Sequence, residues 1–381
     1  MEYTIEPNKE GIINKTYCLS DTSYKILNID KQSTDDSLNI YRSIITDPLT
    51  DKVICFSPPK SVSMEAFISK CPGMAGVTAT QIVEGTMINL FYDPRVESWE
   101  IASKSAVGCN YWYFRTKYDV SNNDEVQLTF RDMFIDALGA SYGSQLNDIP
   151  LIQCLDKSRT YSFVVQHPNN HIVLPIAHPT LYLIAVYQVS DNNIRIVEPD
   201  AIFSNSTVLQ PDACSVGQHE DVHLIDYTNV GVMLYHEDSG LRTTVENPQY
   251  INLRDYRGNN PNLQYQYLCL SQTGKVKEYL NVFPMYKKIF FGFNKQSAEF
   301  IRTIHNAYVT YFIRKRGKDV EIEKSIFRHI CTLHNEIYLP SIESGNSVII
   351  TCKIVADYFN RMEPKSQLYH LNYQNRAIQN V

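Results

Sequence analysis

A change in hydrophobic periodicity divides this 381-residue sequence and limits its possible folds more than any other feature. Between about residues 38 and 250, short apolar runs alternate with turn residues, which is typical of mixed or antiparallel sheets. After about residue 261 the apolar residues recur at helical spacing. We therefore predict an α+β domain with mixed or antiparallel sheets, followed by a smaller all-helical domain.

The predicted elements follow these two patterns. The predicted strands are Ser43–Ile45, Lys52–Phe56, Thr86–Tyr92, Trp99–Ser103, Arg159–Gln166, His171–Leu174, Leu181–Val189 and Val230–Tyr235. One helix is predicted between Thr129 and Gly143, and those of the second domain are Lys275–Val282, Ser297–Arg316, Val320–Tyr338 and Asn346–Asn360.

The domain boundaries follow from composition. Residues 1–37 are polar, weakly patterned and end in a run of loop composition, so we predict a leader segment there. The α+β domain is then expected over 38–260 and the helical domain over 261–381.

Charge and hydropathy exclude several classes of protein. The formal net charge of −6 gives no general attraction to phosphate, so binding of nucleic acid would need a local basic cluster. No apolar stretch approaches the roughly 20 residues of a membrane span, so no membrane partner is expected. The N-terminus lacks a secretory pattern, and the nine cysteines are scattered, as in proteins with reduced thiols. We expect a cytoplasmic location, with the nucleus as the alternative.

Six segments, in a fixed order, carry the most specific pattern in the sequence. They are Tyr41–Ile45, Cys55–Ser61, Ile82–Ile88, Trp99–Ser105, Tyr161–Leu174 and the pair Val230–Tyr235 with Arg242–Tyr250. Together they resemble the motifs of phage-type ATP-dependent RNA ligases, within the covalent nucleotidyltransferase superfamily. The resemblance covers about residues 38–255 and implies an ATP-grasp-like adenylation domain. Two of the segments also resemble ligase-like proteins of large DNA viruses, which would imply the host cytoplasm.

The segments resemble the ligase motifs, but the residues at the positions that perform the chemistry differ. In these ligases a lysine attacks the α-phosphate of ATP, and its position here is Ile82. Two glutamate positions are Val164 and Val230, and two lysine positions are Thr244 and Glu246. Adenylyl transfer needs a nucleophilic amine, carboxylates for the metal and cations for the triphosphate. We therefore expect a protein inactive in adenylyl transfer, with no cofactor, and with ATP and Mg²⁺ only if some activity remains.

Other residues of the resembling segments are retained as candidates for binding. Those for a nucleotide or phosphate are Arg42, Lys60, Glu84, Gly85, Lys104, His167, Asn170 and His171. Glu84 has two interpretations, a contact with a ribose or cation, or an ion pair with Lys60 or Lys104. In the helical domain Arg314, Lys315 and Arg316 are candidates for contact with nucleic acid, although cations at a helix C-terminus are also favoured by the helix dipole.

Three functional hypotheses remain open from the sequence. The first is an RNA-binding or nucleotide-binding scaffold without chemistry. The second is an active ATP-dependent RNA ligase that uses Lys60 or Lys104 as an atypical nucleophile. The third is an interaction protein that holds a protein partner in the former active-site cleft. No metal site is predicted, because Cys214, His219 and His223 lack a fourth ligand and the usual paired spacing.

Overall fold

The computed structural model describes residues 1–30, 33, 35–111, 128–258, 260, 262–315 and 322–373. These residues form two compact units, which divide after Gly258. The first unit contains all described strands, and the second is helical. The predicted α+β fold with antiparallel sheets and a helical C-terminal region is confirmed.

Fourteen strands build the first unit. They are β1 (Glu2–Thr4), β2 (Ile12–Leu19), β3 (Thr22–Ile29), β4 (Arg42–Thr46), β5 (Val53–Cys55), β6 (Val77–Gln81), β7 (Thr86–Asp93), β8 (Ser98–Ala102), β9 (Arg159–Gln166), β10 (Thr180–Ser190), β11 (Asn193–Val197), β12 (Ala213–Cys214), β13 (Gly231–His236) and β14 (Arg242–Glu246). They pair antiparallel in three sheets, with the orders β1-β11-β10-β9-β7-β8, β2-β3-β4-β5 and β12-β6-β13-β14.

The α-helices of the first unit are short, and those of the second unit are longer. In the first unit they are α1 (Met64–Lys70), α2 (Phe130–Ala137), α3 (Pro150–Gln153), α4 (Gln218–Asp221) and α5 (Pro248–Arg257). In the second they are α6 (Leu263–Gln272), α7 (Val276–Val282), α8 (Lys287–Tyr308), α9 (Lys324–Leu333), α10 (Leu339–Glu343), α11 (Cys352–Asn360) and α12 (Pro364–Leu371). π-Helical turns follow α8 at Val309–Ile313 and α9 at His334–Tyr338.

Apolar side chains join the sheets of the first unit. Leu27 and Ile44 of the four-stranded β2–β5 sheet pack with Tyr187 of the six-stranded sheet. On the other side of the same strands, Ile26 and Ile45 pack against Phe91. This burial of both faces of β3 and β4 fixes the start of β4, where Arg42 lies, against the six-stranded sheet.

Two predictions about the first unit are wrong. The segment 1–37 is not a leader, because β1, β2 and β3 lie within it and pair in two sheets. Its few apolar residues, such as Tyr24 and Ile26, are buried, while β2 turns a mostly exposed polar face outward, so the composition resembled a loop. The predicted strand His171–Leu174 is a bent segment instead.

The predicted helices differ from the observed ones mainly at their ends, and α1, α3, α4, α5, α6, α10 and α12 were not predicted. Thr129 caps α2 and forms a capping box with Asp132, so the predicted helix is present but ends at Ala137. The helix α8 begins ten residues before the predicted Ser297. In the described parts of the chain, each helix is too short or too polar to cross a lipid bilayer.

Candidate functional site

Glu84, in the loop between β6 and β7, is the most heavily bonded residue of the resembling segments. Its carboxylate accepts hydrogen bonds from three consecutive amides: Ile172 N at 2.9 Å, Val173 N at 3.0 and 3.1 Å, and Leu174 N at 3.1 Å. The residue is only 4% exposed. Consecutive amides that point the same way form a concave anion site, which a strand cannot do because its amides alternate in direction. For this reason residues 171–174 are bent.

Tyr250 of α5 contributes a further hydrogen bond to Glu84. Burial raises the pKa of the Tyr250 hydroxyl, and the charge of Glu84 and the hydrogen bond to it raise that pKa further. Tyr250 therefore stays protonated and donates to the carboxylate. Neither interpretation of Glu84 made from the sequence describes this arrangement, since the carboxylate binds backbone amides and a tyrosine.

The three polar candidates beside this segment hold the same loop. Asn169 N–H donates to His167 Nδ1 at 3.1 Å, so the Nε2 of the neutral ring is the nitrogen that donates to Asp136 Oδ2, also at 3.1 Å. Asn170 Nδ2 donates to Thr86 Oγ1 at 2.8 Å. His171 Nδ1 donates to Pro168 O at 2.9 Å, and burial lowers the pKa of its imidazole. Each of these side chains thus has a structural partner within the first unit.

Ile82, which the motif resemblance places at the position of the nucleophile, packs in an apolar cluster that also contains Val230, one of the two glutamate positions in that resemblance. We call this group the Ile82 cluster; its members are Ile82, Ile172, Val173, Leu174, Tyr227, Val230, Tyr250 and Leu253. Ile82 is half-buried and Val230 is 5% exposed. The two positions that would carry an amine and a metal-binding carboxylate in a ligase are joined here by hydrocarbon contacts.

The second missing glutamate position, Val164, faces the glycine of the same loop. Gly85 has a φ of +153°, and a Cβ on it would lie 2.5 Å from Val165 O and 2.6 Å from Val164 Cγ1. Val164 itself is 6% exposed. Gly85 is therefore needed for the close approach of this loop to β9, and its role is a backbone one.

Thr244 and Glu246, the residues of β14 at the two lysine positions of the resemblance, carry no cation that could bind phosphate. Thr244 is exposed, and Glu246 forms an ion pair with Arg254 of α5 at 2.7 Å. The hydrogen bond that Arg254 donates to Glu246 is the main cause of the raised pKa of Arg254. The negative charge at Glu246 is thus satisfied by the helix that follows the strand.

The three remaining cationic candidates meet around the start of β4. Lys60 N donates to Asn39 O at 2.8 Å, and Ser43 Oγ donates to Lys104 O at 2.6 Å, so both lysine backbones flank the segment that carries Arg42. Lys60 and Lys104 are exposed, whereas Arg42 is half-buried. Ser43 has a φ of +59°, a conformation that costs about 1–3 kcal/mol in a residue other than glycine.

Arg242, at the start of β14, joins this group although the sequence did not single it out. Val62 N donates to Arg242 O at 2.9 Å, so the segment after Lys60 runs beside β14. Burial lowers the pKa of Arg242, and the nearby charge of Arg42 lowers it further, while burial also lowers the pKa of Arg42. We call Arg42, Lys60, Lys104 and Arg242 the basic cluster.

Two buried polar atoms beside Arg42 lack a hydrogen-bond partner among the described residues. Arg242 Nε and the hydroxyl of Tyr235, its neighbour across β13 and β14, are buried and have no hydrogen-bond partner among the described residues. Within the same part of the chain, no carboxylate lies within 4.0 Å of Arg42, Lys60 or Arg242. Half-buried cations without acids are costly, and an anionic ligand would offset that cost.

The structure describes two of the three basic candidates in the helical unit. Arg314 and Lys315 are exposed and follow the π-helical turn that continues α8, where the helix dipole favours cations. Arg316 lies outside the described residues. Within those residues, no group of three His, Cys, Asp or Glu side chains is arranged to hold a metal ion.

Arg242, Tyr235 and Tyr250 are the site residues that sequence reasoning missed. A signal existed for Arg242, because Arg242, Thr244 and Glu246 alternate along one strand and so share a face. Tyr235 and Tyr250 carry no comparable signal, since only the fold brings them to Arg242 and Glu84.

Comparison with known proteins gives similar structures and no sequence relative. No family model matches the chain, and no curated protein matches it. A putative ATP-dependent DNA ligase from Aquifex aeolicus has a TM-score of 0.43 and 9% identity, over 74% of this chain and 69% of that chain. An RNA ligase from Naegleria gruberi with PPi has a TM-score of 0.38 and 9% identity, over 60% of this chain and 65% of its own. A mutant of that ligase with ATP and Mn has the same TM-score and identity, over 60% of this chain and 64% of its own. This chain covers less than two thirds of these two Naegleria ligase chains, and similarity at this level does not establish a family.

Proposed function

We propose that this protein is a ligase-like protein that binds RNA through the basic cluster and does not form a covalent adenylyl intermediate. The observation that carries the proposal is the contrast between two sets of positions. Ile82 and Val230 pack in one apolar cluster, whereas Arg242 Nε and the Tyr235 hydroxyl have no hydrogen-bond partner among the described residues, and the charge of Arg42 lies near that of Arg242.

The side chains of Ile82, Val164 and Val230 offer no group that could take part in adenylyl transfer. Isoleucine has no nucleophilic atom, and the valines at 164 and 230 have no oxygen for a divalent metal. Glu84 is the carboxylate nearest in sequence, but its two oxygens are bonded to amides. ATP and Mg²⁺ are therefore not expected as cofactors.

The basic cluster suits a phosphate-bearing ligand. Arginine donates two parallel hydrogen bonds to a phosphate, and the exposed lysines add charge without fixed geometry. Because the chain as a whole carries a formal charge of −6, such a local cluster is what RNA binding requires. RNA is the ligand class favoured by the motif resemblance, and a viral source with a location in the host cytoplasm remains a prediction from the same resemblance.

The first test asks whether the protein reacts with ATP. The protein is incubated with Mg²⁺ and ATP labelled at the α-phosphate, and the expected result is no acid-stable labelled protein. A covalent AMP adduct would overturn the inactive assignment, and Lys60→Ala and Lys104→Ala variants would then locate the nucleophile. Both lysines are exposed, so neither has the apolar surroundings that usually activate a lysine nucleophile.

The second test asks whether RNA binds. Affinity for a single-stranded RNA is measured over a range of salt concentrations, and it should fall steeply with salt, by a log–log slope of about 0.7 per phosphate neutralised. Arg42→Gln should weaken binding, whereas Arg195→Gln, an exposed arginine of β11, should not. No binding at low salt would reject RNA and favour a protein partner.

A further inference from the structure

An open pocket of about 420 Å³ lies in the second unit and belongs to none of the motif segments. Its polar lining comes from α9, α11 and α12, and consists of Arg328, His329, Thr332, Tyr358, Ser366, Tyr369 and His370. The described residues of its lining include no aspartate or glutamate. Beside the thioether of Met362, this lining therefore presents basic and hydroxyl groups.

Two histidines and a tyrosine form a hydrogen-bonded relay at this pocket. His329 Nδ1 lies 2.8 Å from the Tyr358 hydroxyl, and His329 Nε2 lies 3.2 Å from His370 Nδ1. If Tyr358 donates to His329, the His329 Nε2–H donates to His370, and His370 carries its proton on Nε2. In that direction of the relay, His370 has a donor left for a ligand.

The charges around the relay repel one another. His329 is 3% exposed, and burial, His370 and Arg328 lower its pKa to about 4. Burial and Arg328 also lower the pKa of His370. The other group that acts on the relay is Glu336, which lies near Tyr358, while Phe300 of α8 contacts His329 edge-on. Three basic groups without an acid in the lining are unfavourable when charged, and an anion would relieve this repulsion.

We infer that this pocket binds a phosphate group. The guanidinium of Arg328 matches two phosphate oxygens, the hydroxyl of Ser366 donates to another, and His370 donates from Nε2. The Thr332 hydroxyl donates to Arg328 O at 3.1 Å. A metal ion fits less well, because the two imidazoles are bonded to each other and the described residues provide no third ligand. The inference does not depend on the function proposed for the first unit.

Binding should be coupled to protonation of His370. An anion favours the imidazolium form, so the pKa of His370 should rise on binding, and affinity should increase as the pH falls. Sulfate is the suitable probe, because its charge stays constant between about pH 5 and pH 8. With the full-length protein labelled at histidine, NMR titration with sulfate at several pH values measures both the affinity and the pKa.

Two substitutions test the assignment. Arg328→Gln should weaken sulfate binding at least about tenfold, because a charge-assisted contact is lost. His370→Gln should abolish the pH dependence of binding. The matched control is Arg302→Gln, an exposed arginine of α8 outside the pocket, which should leave both unchanged. Sulfate affinity that neither Arg328→Gln nor His370→Gln alters would overturn the inference; Arg328 is exposed, so its variant is expected to fold.

The source of the phosphate is distinguished with RNA oligonucleotides that carry a 5′-phosphate or a 5′-hydroxyl. A preference for the phosphorylated end that Arg328→Gln removes would identify a terminal phosphate. Equal binding of both oligonucleotides that Arg328→Gln weakens would identify a backbone phosphate. Binding of both that is unchanged in Arg328→Gln and His370→Gln would count against any phosphate at this pocket.

Discussion

The Ile82 cluster and the basic cluster belong to the same unit but differ in how their polar groups are satisfied. Beside the Ile82 cluster, the Glu84 carboxylate has three amides and a tyrosine, and His167 and Asn170 each have a side-chain partner. In the basic cluster, Arg242 Nε and the Tyr235 hydroxyl have no partner among the described residues. The polar groups beside the Ile82 cluster have their hydrogen bonds without a ligand, whereas Arg242 Nε and the Tyr235 hydroxyl do not have theirs among the described residues.

This difference bears on what a match to a motif implies. Glu84 and Gly85 resemble a ligase motif, yet they fix a loop through amide contacts and a close backbone approach. A residue that matches a motif can therefore have a structural role. Under the proposed function, Ile82, Val164 and Val230 occupy the positions at which the resemblance would place the nucleophile and the metal ligands.

The largest expected effect is on stability and comes from Glu84→Ala. The change leaves the amides of residues 172–174 without their acceptor, and each buried donor left unpaired costs about 1–3 kcal/mol. Allowing for partial relaxation, the free energy of unfolding should fall by about 3–5 kcal/mol. Chemical denaturation measures it, and Glu65→Ala, an exposed residue of α1, should change it by less than about 0.5 kcal/mol. A loss for Glu84→Ala as small as that of the control would mean that Glu84 is free to serve a ligand.

Next in size is the effect of Arg242→Gln on RNA affinity. The loss of a charge-assisted contact should cost about 1.5–2 kcal/mol, which is more than tenfold in Kd. The free energy of unfolding should stay constant or rise, because a half-buried cation beside Arg42 is removed. Lower stability together with unchanged RNA affinity would place Arg242 among the structural residues and remove the contrast between the two clusters.

Ile82→Lys tests the Ile82 cluster. A lysine there would have to carry its ammonium group out of an apolar cluster, so we expect a loss of stability of about 1 kcal/mol. No AMP adduct should form with labelled ATP, because Val164 and Val230 still provide no metal ligand. Ile82→Leu is the matched control for packing. An adduct in Ile82→Lys alone would show that the cluster opens to ATP and that only the nucleophile is missing.

The sequence predicted the class and order of elements well because periodicity is local. The strand Arg159–Gln166 is predicted to the residue, since its β-branched and aromatic residues are bounded by Arg159 and Gln166. The strands within residues 1–37 were missed because β2 is mostly exposed and polar, and because polar residues interrupt the apolar residues of β3. The bend at 171–174 was missed because it depends on Glu84, which is distant in sequence.

The site was predictable only as far as its residues carry a motif. Arg42, Lys60 and Lys104 were identified from the resemblance, and the fold brings them together. The partners that decide their role, Arg242 and Tyr235, lie on β14 and β13, about 200 residues from Arg42 in sequence. Whether a charge is satisfied depends on such tertiary neighbours, which no local pattern encodes.

The smallest expected effect is that of Lys60→Gln, and it measures how the basic cluster holds RNA. Lys60 is exposed, so its contact with a phosphate would be screened and worth about 0.5 kcal/mol, a two- to threefold change in Kd. The slope of log affinity against log salt should fall by about 0.7, the value for one phosphate on a single strand. Arg195→Gln should leave that slope unchanged. If Lys60→Gln leaves the slope unchanged as well, RNA contacts Arg42 and Arg242 and not Lys60.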